Sequence, residues 1–500
     1  MQEKLAQLKK ILAEISDLDA ASSLLGWDQQ TYMPPGGAVI RGQQLGTLQR
    51  LSHTKFITPE VGRLLEVLNA EIGNLDPDSD DACLIKVTTR EYEKAVKVPP
   101  EWVVEFVEQT AIATQVWQEA RTANDFSKFQ PHLERIVDLR RRYADYFVPY
   151  DHVYDPLLDD FEPGLKTADV KEIFEGLRPQ QVELIRAISS QDQVDDSFLR
   201  QNFDEQKQWD FGVDVITKFG YDWQHGRQDK STHPFTISFG LDDVRITTRI
   251  YPDFLNTGLF GTMHETGHAL YELGVDRALV RTPLERGASL AMHESQSRMY
   301  ENLVGRSMPF WEHFYPALQK TFPEQLGGVD LETFYRGINR VEPSLIRVEA
   351  DEATYNLHIM LRLELEIALM EGTVEVKDLS EAWNARMLDY LGVNPEDDAD
   401  GVLQDIHWSG GMIGYFSTYA LGNLISVQLW EKIVSDIPEI SDQIRSGDFT
   451  ALLVWLRENI HRHGAKYEPQ ELVQRITGSK IDAAPYMRYL KSKYGEIYGI

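Results

Sequence analysis

The sequence predicts a mostly α-helical protein that contains one β-hairpin. Apolar residues recur at helical spacing along most of the 500 residues, and only the stretch from His233 to Asp253 alternates apolar and polar side chains as strands do. With 42% hydrophobic and 10% aromatic residues, the chain can bury a large core. No linker-like, low-complexity or repeated segment divides the sequence, so residues 1–500 are expected to form a single domain.

The helical pattern begins at the N-terminus, where Leu5, Leu8, Leu12 and Ile15 fall on one face. Before the hairpin, the expected helices cover residues 3–24, 38–54, 60–72, 80–95, 99–123, 128–146, 167–190 and 204–219. After it, the pattern resumes near Leu259 and covers residues 288–305, 311–320, 330–339, 343–371, 378–391, 411–435, 448–460 and 468–475. Helices therefore account for almost everything outside the hairpin.

The hairpin is predicted from two alternating runs on either side of a Gly-Leu-Asp-Asp turn. Phe235, Ile237 and Phe239 alternate with polar residues before the turn, and Val244 and Ile246 begin a similar alternation after it. We expect the second strand, near residues 246–250, to offer an edge to which an extended peptide could add as a further strand.

The charge and cysteine content restrict the partners and the compartment. The formal net charge is -29, from 79 acidic and 50 basic residues, which argues against binding nucleic acid because phosphates need a basic surface. The single cysteine, Cys83, excludes an internal disulfide and fits a reducing compartment. The charged N-terminus is unlike a secretory signal, and no apolar run approaches the roughly 18 residues of a membrane span. We expect a cytoplasmic protein with no membrane partner.

The segment His264-Glu265-Thr266-Gly267-His268 lies within a helical pattern and has the spacing of a zinc site. Two histidines four residues apart on a helix project from one face, so both imidazoles can bind one ion. Glu265 lies beside the first ligand, where it can accept a proton from water at the metal. Gly267 weakens the helix, and either a packing or a functional reason could require it, such as the close approach of another element.

A third ligand is needed to complete such a site, and Glu294 is the candidate. It lies in a later helical stretch, from which a carboxylate can reach the two histidines. His293 is the competing candidate, but its side chain points about 100° away on the same helix. Asp276 and Glu285 lie in a loop-like stretch where charged residues are usually solvated.

These residues belong to a set of motifs through which the chain resembles the thermostable carboxypeptidase Taq family of zinc or cobalt metallocarboxypeptidases. The motifs occur in the family's order and, with the Trp27-Asp28 to Pro34 region, extend the resemblance over essentially the whole chain. They are Asp243-Val-Arg245-Ile-Thr247, His264-Glu-Thr-Gly-His268, His293-Glu-Ser-Gln296, Ile346-Arg-Val-Glu-Ala-Asp351 and Gly401-Val-Leu-Gln-Asp-Ile-His-Trp408.

The resemblance implies a large, mostly helical, neurolysin-like fold with a long substrate groove and a small sheet beside the active site. It also implies a homodimer that removes single residues from peptide C-termini with broad specificity, using Zn²⁺, with Co²⁺ or Mn²⁺ possible. Composition and spacing alone would lead only to a zinc hydrolase, with a peptidase as the expected kind.

A carboxypeptidase must compensate the desolvated terminal carboxylate of its substrate, and a bidentate arginine does this well. Arg347 is the candidate, with an intrahelical ion pair to Asp351 as the alternative explanation. The two are compatible, because Asp351 could orient the guanidinium group. Arg245 is a weaker substrate-binding candidate, since a structural pair with Asp243 explains it as well.

His407 and Tyr415 are candidates for donating a hydrogen bond to the negatively charged oxygen that develops during hydrolysis. Tyr419 follows Tyr415 on what the pattern predicts to be the same helix. A histidine next to Trp408 could equally be a packed core residue.

Two other functions remain open. An endo-oligopeptidase or a dipeptidase on the same fold would share the catalytic residues and differ in how the substrate terminus is bound. An inactive peptide-binding protein is the second alternative, although the presence of Glu265 argues against it. An aminopeptidase is disfavoured, because the sequence has no Gly-x-Met-Glu-Asn segment to anchor a free amine.

Overall fold

The computed structural model describes all 500 residues and confirms the mostly helical class. Its α-helices are α1 Gln2–Thr31, α2 Ala38–Phe56, α3 Pro59–Glu71, α4 Asp80–Lys97, α5 Pro100–Ala123, α6 Phe126–Asp145, α7 Asp155–Leu158, α8 Thr167–Ser189, α9 Glu205–Phe219, α10 Leu255–Leu273, α11 Leu290–Arg298, α12 Met308–Thr321, α13 Pro323–Leu326, α14 Leu331–Ile338, α15 Tyr355–Glu371, α16 Leu379–Leu391, α17 Ser417–Asp436, α18 Ile440–Ser446, α19 Thr450–Asn459, α20 Pro469–Thr477 and α21 Ala484–Tyr498. The strands are β1 Gly226–Lys230, β2 Thr236–Ser238 and β3 Val244–Thr248. None of the helices is both long enough and apolar enough to cross a membrane.

The chain separates into two compact units, each built from three distant segments. Unit 1 comprises Met1–Val96, Asp196–Ile338 and Leu429–Thr477, and unit 2 comprises Lys97–Asp195, Asn339–Gln428 and Gly478–Ile500. The expectation of a single domain stays a prediction.

In unit 1, the apolar face of α1 contributes to a hydrophobic core. Leu5, Leu8 and Leu12 are buried against residues of α3 and α4, among them Leu68 and Ile85. The periodicity that predicted the first helix therefore also identified its buried face. Elsewhere in this unit, α10 packs against α9, α11 and the sheet.

The sheet of unit 1 has three strands in the order β1-β3-β2. The predicted hairpin is present, with β2 antiparallel to β3 and Thr236 opposite Ile246. β1 lies parallel to β3 on its other side, with Gln228 opposite Ile246. The sequence did not predict β1, because its residues Gly-Arg-Gln-Asp-Lys show no apolar alternation. The expectation of a free edge near residues 246–250 is wrong, since β3 is the central strand.

In unit 2, α15 runs through the hydrophobic interior. All its residues except Glu364 and Glu371 are buried, including the polar residues Arg362 and Glu366. It packs against α6, α8 and α16. A helix buried on all sides has no solvent-facing stripe, so its polar residues must find partners inside the protein.

Two predicted helices in unit 2 begin later than expected. The helix predicted from residue 343 starts at Tyr355, because Asp351 accepts hydrogen bonds from the backbone N–H groups of Ala353 and Thr354 at its N-terminal end. The helix predicted from residue 411 starts at Ser417. Gly411 and Gly414 precede it with φ values of 71° and 109°, which are incompatible with a right-handed helix.

Candidate metal centre and substrate-binding residues

His264 and His268 lie one turn apart on α10, and Glu294 of α11 faces both. Their Nε2 atoms are 3.6 and 3.4 Å, respectively, from Glu294 Oε2. Gly267 allows the two helices to approach, because a Cβ atom there would lie 2.5 Å from the carbonyl oxygen of Gln296. The packing explanation for this glycine is therefore confirmed.

The three side chains have the geometry of a metal-binding site. Their ligand atoms all lie within 4.8 Å of one another. A tetrahedral zinc ion with bonds of about 2.0–2.1 Å separates its ligand atoms by about 3.3 Å, close to the two distances observed between the histidines and Glu294. Two imidazole nitrogens and a carboxylate oxygen thus form a donor set that fits one divalent ion.

Hydrogen bonds orient the first histidine. His264 Nδ1 lies 2.9 Å from Glu301 Oε2, so the ring carries its proton on Nδ1 and leaves the Nε2 lone pair towards Glu294. Arg298 bonds to both carboxylates, at 2.7 Å from Glu294 Oε1 and 3.2 Å from Glu301 Oε2. The sequence alone did not identify Arg298 and Glu301 as part of the site. Glu301 could have been found, because it lies two helical turns after Glu294 and therefore on the same face.

His268 is contacted by another histidine. Its Nδ1 lies 2.7 Å from Nδ1 of His293, whose Nε2 lies 2.5 Å from Glu272 Oε1. His293 is outside the cluster of candidate ligands, as the sequence analysis expected. It lies instead behind one of them.

Burial and neighbouring charges set the ionisation of the centre. Burial opposes ionisation of Glu294, but Arg298 and His264 outweigh it and hold the pKa of this carboxyl far below its usual range. Burial lowers the pKa of His268 to about 4. Both groups are therefore in the protonation state that binds a metal at neutral pH.

Glu265 is buried beside the candidate ligands, and Thr236 of β2 holds it. The Thr236 hydroxyl lies 2.7 Å from Glu265 Oε2 and 2.8 Å from the backbone oxygen of the same residue. Burial raises the pKa of Glu265 above its ordinary value, partly opposed by His264 and by the Thr236 hydrogen bond. The sequence analysis did not identify Thr236, because its contact with α10 depends on how the sheet packs.

Arg245 lies on β3 and is held by neighbours within unit 1. Its guanidinium group makes two bonds to Asp243, of 2.8 and 2.7 Å, and lies over the ring of Trp27 at 4.4 Å. These contacts agree with the structural pair that was the alternative to substrate binding.

Arg347 lies in unit 2, in a short 3₁₀ turn rather than an α-helix. The ion pair with Asp351, which was the alternative explanation for Arg347, is absent, because that carboxylate caps α15 instead. Arg347 bonds to Asp405 through Nε and Nη2, at 3.0 and 2.7 Å, and to the hydroxyl of Tyr355 at 2.9 Å. Arg362 shares Asp405, at 2.7 Å from its second oxygen. Two buried guanidinium groups therefore share one carboxylate and leave a net positive charge.

His407, Tyr415 and Tyr419 lie together in unit 2. His407 Nε2 is 3.3 Å from the Tyr419 hydroxyl, and the His407 and Tyr415 ring centres are 5.4 Å apart. Burial lowers the pKa of His407 to about 4, so the ring is neutral at physiological pH. Tyr415 precedes α17 rather than lying on it.

Comparisons with known proteins agree with this geometry. The family model described as carboxypeptidase Taq (M32) metallopeptidase matches residues 7–494. The chain is 42% identical to thermostable carboxypeptidase 1 of Thermus thermophilus, covering 97% of each sequence, and 40% identical to that of Pyrococcus furiosus, covering 97% of this chain and 98% of the relative. A crystal structure of an M32 carboxypeptidase from Deinococcus radiodurans superposes with a TM-score of 0.97 at 41% identity, over 100% of both chains. The chain therefore belongs to the carboxypeptidase Taq (M32) family of metallopeptidases and is a metallocarboxypeptidase.

Proposed function

We propose that the enzyme removes single residues from the C-termini of peptides at a divalent metal held by His264, His268 and Glu294. The convergence of two imidazole nitrogens on one ionised, buried carboxylate carries this proposal. Zn²⁺ is the proposed metal, because it favours a small set of nitrogen and oxygen ligands with an open position. Co²⁺ and Mn²⁺ are the alternatives.

A cation bound to these ligands would supply Lewis acidity to the scissile carbonyl and to the attacking water. Glu265 accepts the proton of that water and then passes it to the leaving amine. The hydrogen bond from Thr236 to Oε2 restricts the rotation of the Glu265 carboxylate. A raised pKa suits this shuttle, because the group must bind and then release a proton.

Arg347 is the proposed anchor for the substrate's terminal carboxylate. Its two bonds to Asp405 fix the plane of the guanidinium group, and Arg362 supplies the second positive charge near the same aspartate. A net positive charge in a buried cluster favours an incoming carboxylate. Binding through the terminus rather than the side chain would give broad specificity.

His407 and Tyr415 are proposed as donors to the developing oxyanion, with Tyr419 supporting His407. A neutral imidazole can donate one N–H hydrogen bond, which fits the lowered pKa of His407. Arg245 keeps a secondary substrate-binding role in this proposal. An extended substrate would pair with the outer strand β2, whose Thr236 contacts Glu265.

The proposal is tested by comparing matched peptides with a free or an amidated C-terminus. The wild-type enzyme should lose about 2–5 kcal/mol of transition-state stabilisation on the amide, and Arg347→Ala should hardly distinguish the two. The measurement is kcat/KM on both substrates. Arg121→Ala, at an exposed arginine of the same unit, is the matched control and should discriminate as the wild type does.

Equal cleavage of the acid and the amide by the wild type would favour the endo-oligopeptidase alternative. Mass spectrometry of a mixed peptide pool identifies a dipeptidase by the size of its products. Discrimination that survives in Arg347→Ala would assign the anchor to another residue, with Arg245 and His407 next to test.

We also propose that the enzyme is a homodimer in the cytoplasm. Its one cysteine, Cys83, is free and buried, which fits a reducing compartment. Light scattering in solution should give twice the mass of one chain.

A further inference from the structure

The two candidate metal-binding histidines are supported in different ways. Behind His264 stands a carboxylate, Glu301, at 2.9 Å. Behind His268 stands a second imidazole ring, that of His293, at 2.7 Å, and the carboxylate of Glu272 contacts the far side of that ring. His268 is therefore connected to a carboxylate only indirectly, through the side chain of His293. The proposed hydrolytic mechanism gives His293 no role.

His293 bridges two successive turns of α10. His268 and Glu272 are four residues apart on one face of that helix, and the His293 ring reaches from α11 to bond to both. The ring is also packed against Tyr271, with centroids 5.0 Å apart. The absence of a side chain at Gly287 makes room for it, because a Cβ atom there would lie 2.8 Å from His293 Cδ2.

Only one arrangement of protons leaves His268 able to bind a metal through Nε2. That atom needs a free lone pair, so the ring proton of His268 must be on Nδ1 and must be donated to His293 Nδ1. His293 can accept it only if its own proton is on Nε2. Glu272 favours this tautomer, because a carboxylate accepts the hydrogen bond from Nε2–H.

We propose that His293, held by Glu272, is a positioning residue that fixes the tautomer and ring orientation of His268 and so sets the affinity of the centre for its metal. The inference rests on the proposed function, because it takes His268 as a ligand. It assigns the histidine of the His293-Glu-Ser-Gln296 motif to the metal centre without making it a ligand.

The test uses two substitutions that separate hydrogen bonding from packing. His293→Leu keeps an apolar volume but removes the acceptor, and the zinc affinity should fall about 10–100-fold. His293→Asn places an amide oxygen close to the original Nδ1 and should recover most of that loss. Zinc affinity is measured by competition with a chromophoric chelator, and the visible spectrum of the Co²⁺-loaded protein should change in the leucine variant alone.

A second route disturbs His293 without substituting it. Gly287→Ala should push the ring away and lower the zinc affinity in the same direction. Gly261→Ala on α10 is the matched control, because nothing lies within 4 Å of its added Cβ, and its zinc affinity should equal that of the wild type. This arm remains informative if His293→Leu does not fold.

The outcomes distinguish this inference from the metal-site proposal. His264→Ala and His268→Ala must each lower zinc affinity, and an unchanged affinity in either variant would overturn the assignment of that histidine as a ligand, and with His268 the premise of this inference. If they do so while His293→Leu and Gly287→Ala bind zinc as the wild type does, the positioning role alone is overturned. Equal losses in His293→Leu and His293→Asn would also overturn it, because packing rather than the acceptor would then explain the effect.

Discussion

Glu265 has one carboxylate oxygen held by a neighbouring hydroxyl and lies next to the candidate ligands in sequence. Thr236 donates to Oε2, and the adjacent His264 lies in the candidate metal cluster. The local sequence was enough to propose this residue as the base, because positions 264, 265 and 268 are related by the geometry of one helix. The threonine comes from a strand and could not be found in this way.

At this scale we expect Glu265→Gln to bind metal normally but to lose about 10²–10⁴-fold in kcat, because an amide cannot accept the proton of the attacking water. The measurements are kcat and metal content on the same preparation. Glu324→Gln, at an exposed glutamate of unit 1, is the matched control and should keep wild-type turnover. Near wild-type turnover in Glu265→Gln would remove this residue from its proposed role.

At the scale of elements, the contact between α10 and α11 decides whether the three candidate ligands can meet. Gly267 lies at this contact, and its missing side chain brings the backbone of Gln296 and Ser297 against α10. Close packing of backbone on backbone cannot relax by a change of rotamer.

We therefore expect Gly267→Ala to be destabilising by about 1–3 kcal/mol and to weaken metal binding, since α11 must move and carries Glu294 with it. Gly261→Ala on the same helix should be neutral or stabilising by up to about 1 kcal/mol, because alanine favours a helix and meets no neighbour there. Thermal unfolding and chelator competition measure both effects. An unchanged Tm and zinc affinity in Gly267→Ala would contradict the steric argument.

A second contact of elements, in unit 2, depends on Glu366 of α15. Its carboxylate accepts hydrogen bonds from the Tyr154 hydroxyl at 2.5 Å, from Trp408 Nε1 at 2.8 Å and from the Gly414 N–H at 3.0 Å. One buried acid thus holds the segment that carries His407 and Tyr415. Burial raises its pKa to about 7.

This raised pKa predicts a defined dependence of stability on pH. An unfolded glutamate titrates near about 4.3, so between that pH and about pH 7 the folded protein binds more protons than the unfolded protein. As the pH rises through this range, the free energy of unfolding therefore falls by about 4 kcal/mol because of this group. Glu366→Gln should lack this component. The Tm of the variant relative to wild type should therefore increase from about pH 5 to about pH 7.5, as measured by calorimetry.

The control for this pH dependence is Glu396→Gln, at an exposed position. Its Tm difference from wild type should stay constant over the same range. A constant difference for Glu366→Gln as well would mean that Glu366 ionises alike in the folded and unfolded states.

At the scale of the whole molecule, the charge of the chain and its metal are linked. The protein carries a formal charge of -29, and three of its carboxylates, those of Glu265, Glu294 and Glu301, lie close together in the candidate centre. A bound divalent cation would offset part of the electrostatic repulsion among these carboxylates. Metal binding to the folded protein alone also raises its stability by mass action.

We expect chelation to abolish activity and lower Tm, and added Zn²⁺ or Co²⁺ to restore both. At a free metal concentration about 100-fold above Kd, the stabilisation should be about 2.7 kcal/mol. Peptidase assays and thermal unfolding with measured metal content provide the test. Full activity in a demonstrably metal-free preparation would contradict the metal dependence.

The sequence by itself determined the features that depend on neighbouring residues along one element. The helices, the hairpin and the pairing of His264 with His268 follow from periodicities of a few residues, which any stretch of chain displays locally. Glu294 could also be proposed as the third ligand from the sequence. It lies a short distance along the chain from His268 in a helical pattern, and few other residues there could bind the metal.

Only the tertiary structure decided the contacts between distant segments. Arg347 bonds to Asp405, 58 residues away, and not to the aspartate four residues along the chain. Thr236 meets Glu265, and His293 stands between His268 and Glu272, only because separate elements pack together. A polar group that becomes buried needs a hydrogen-bond partner, and that partner can come from any segment that the fold brings close. The local periodicity of the sequence does not indicate which segment this is.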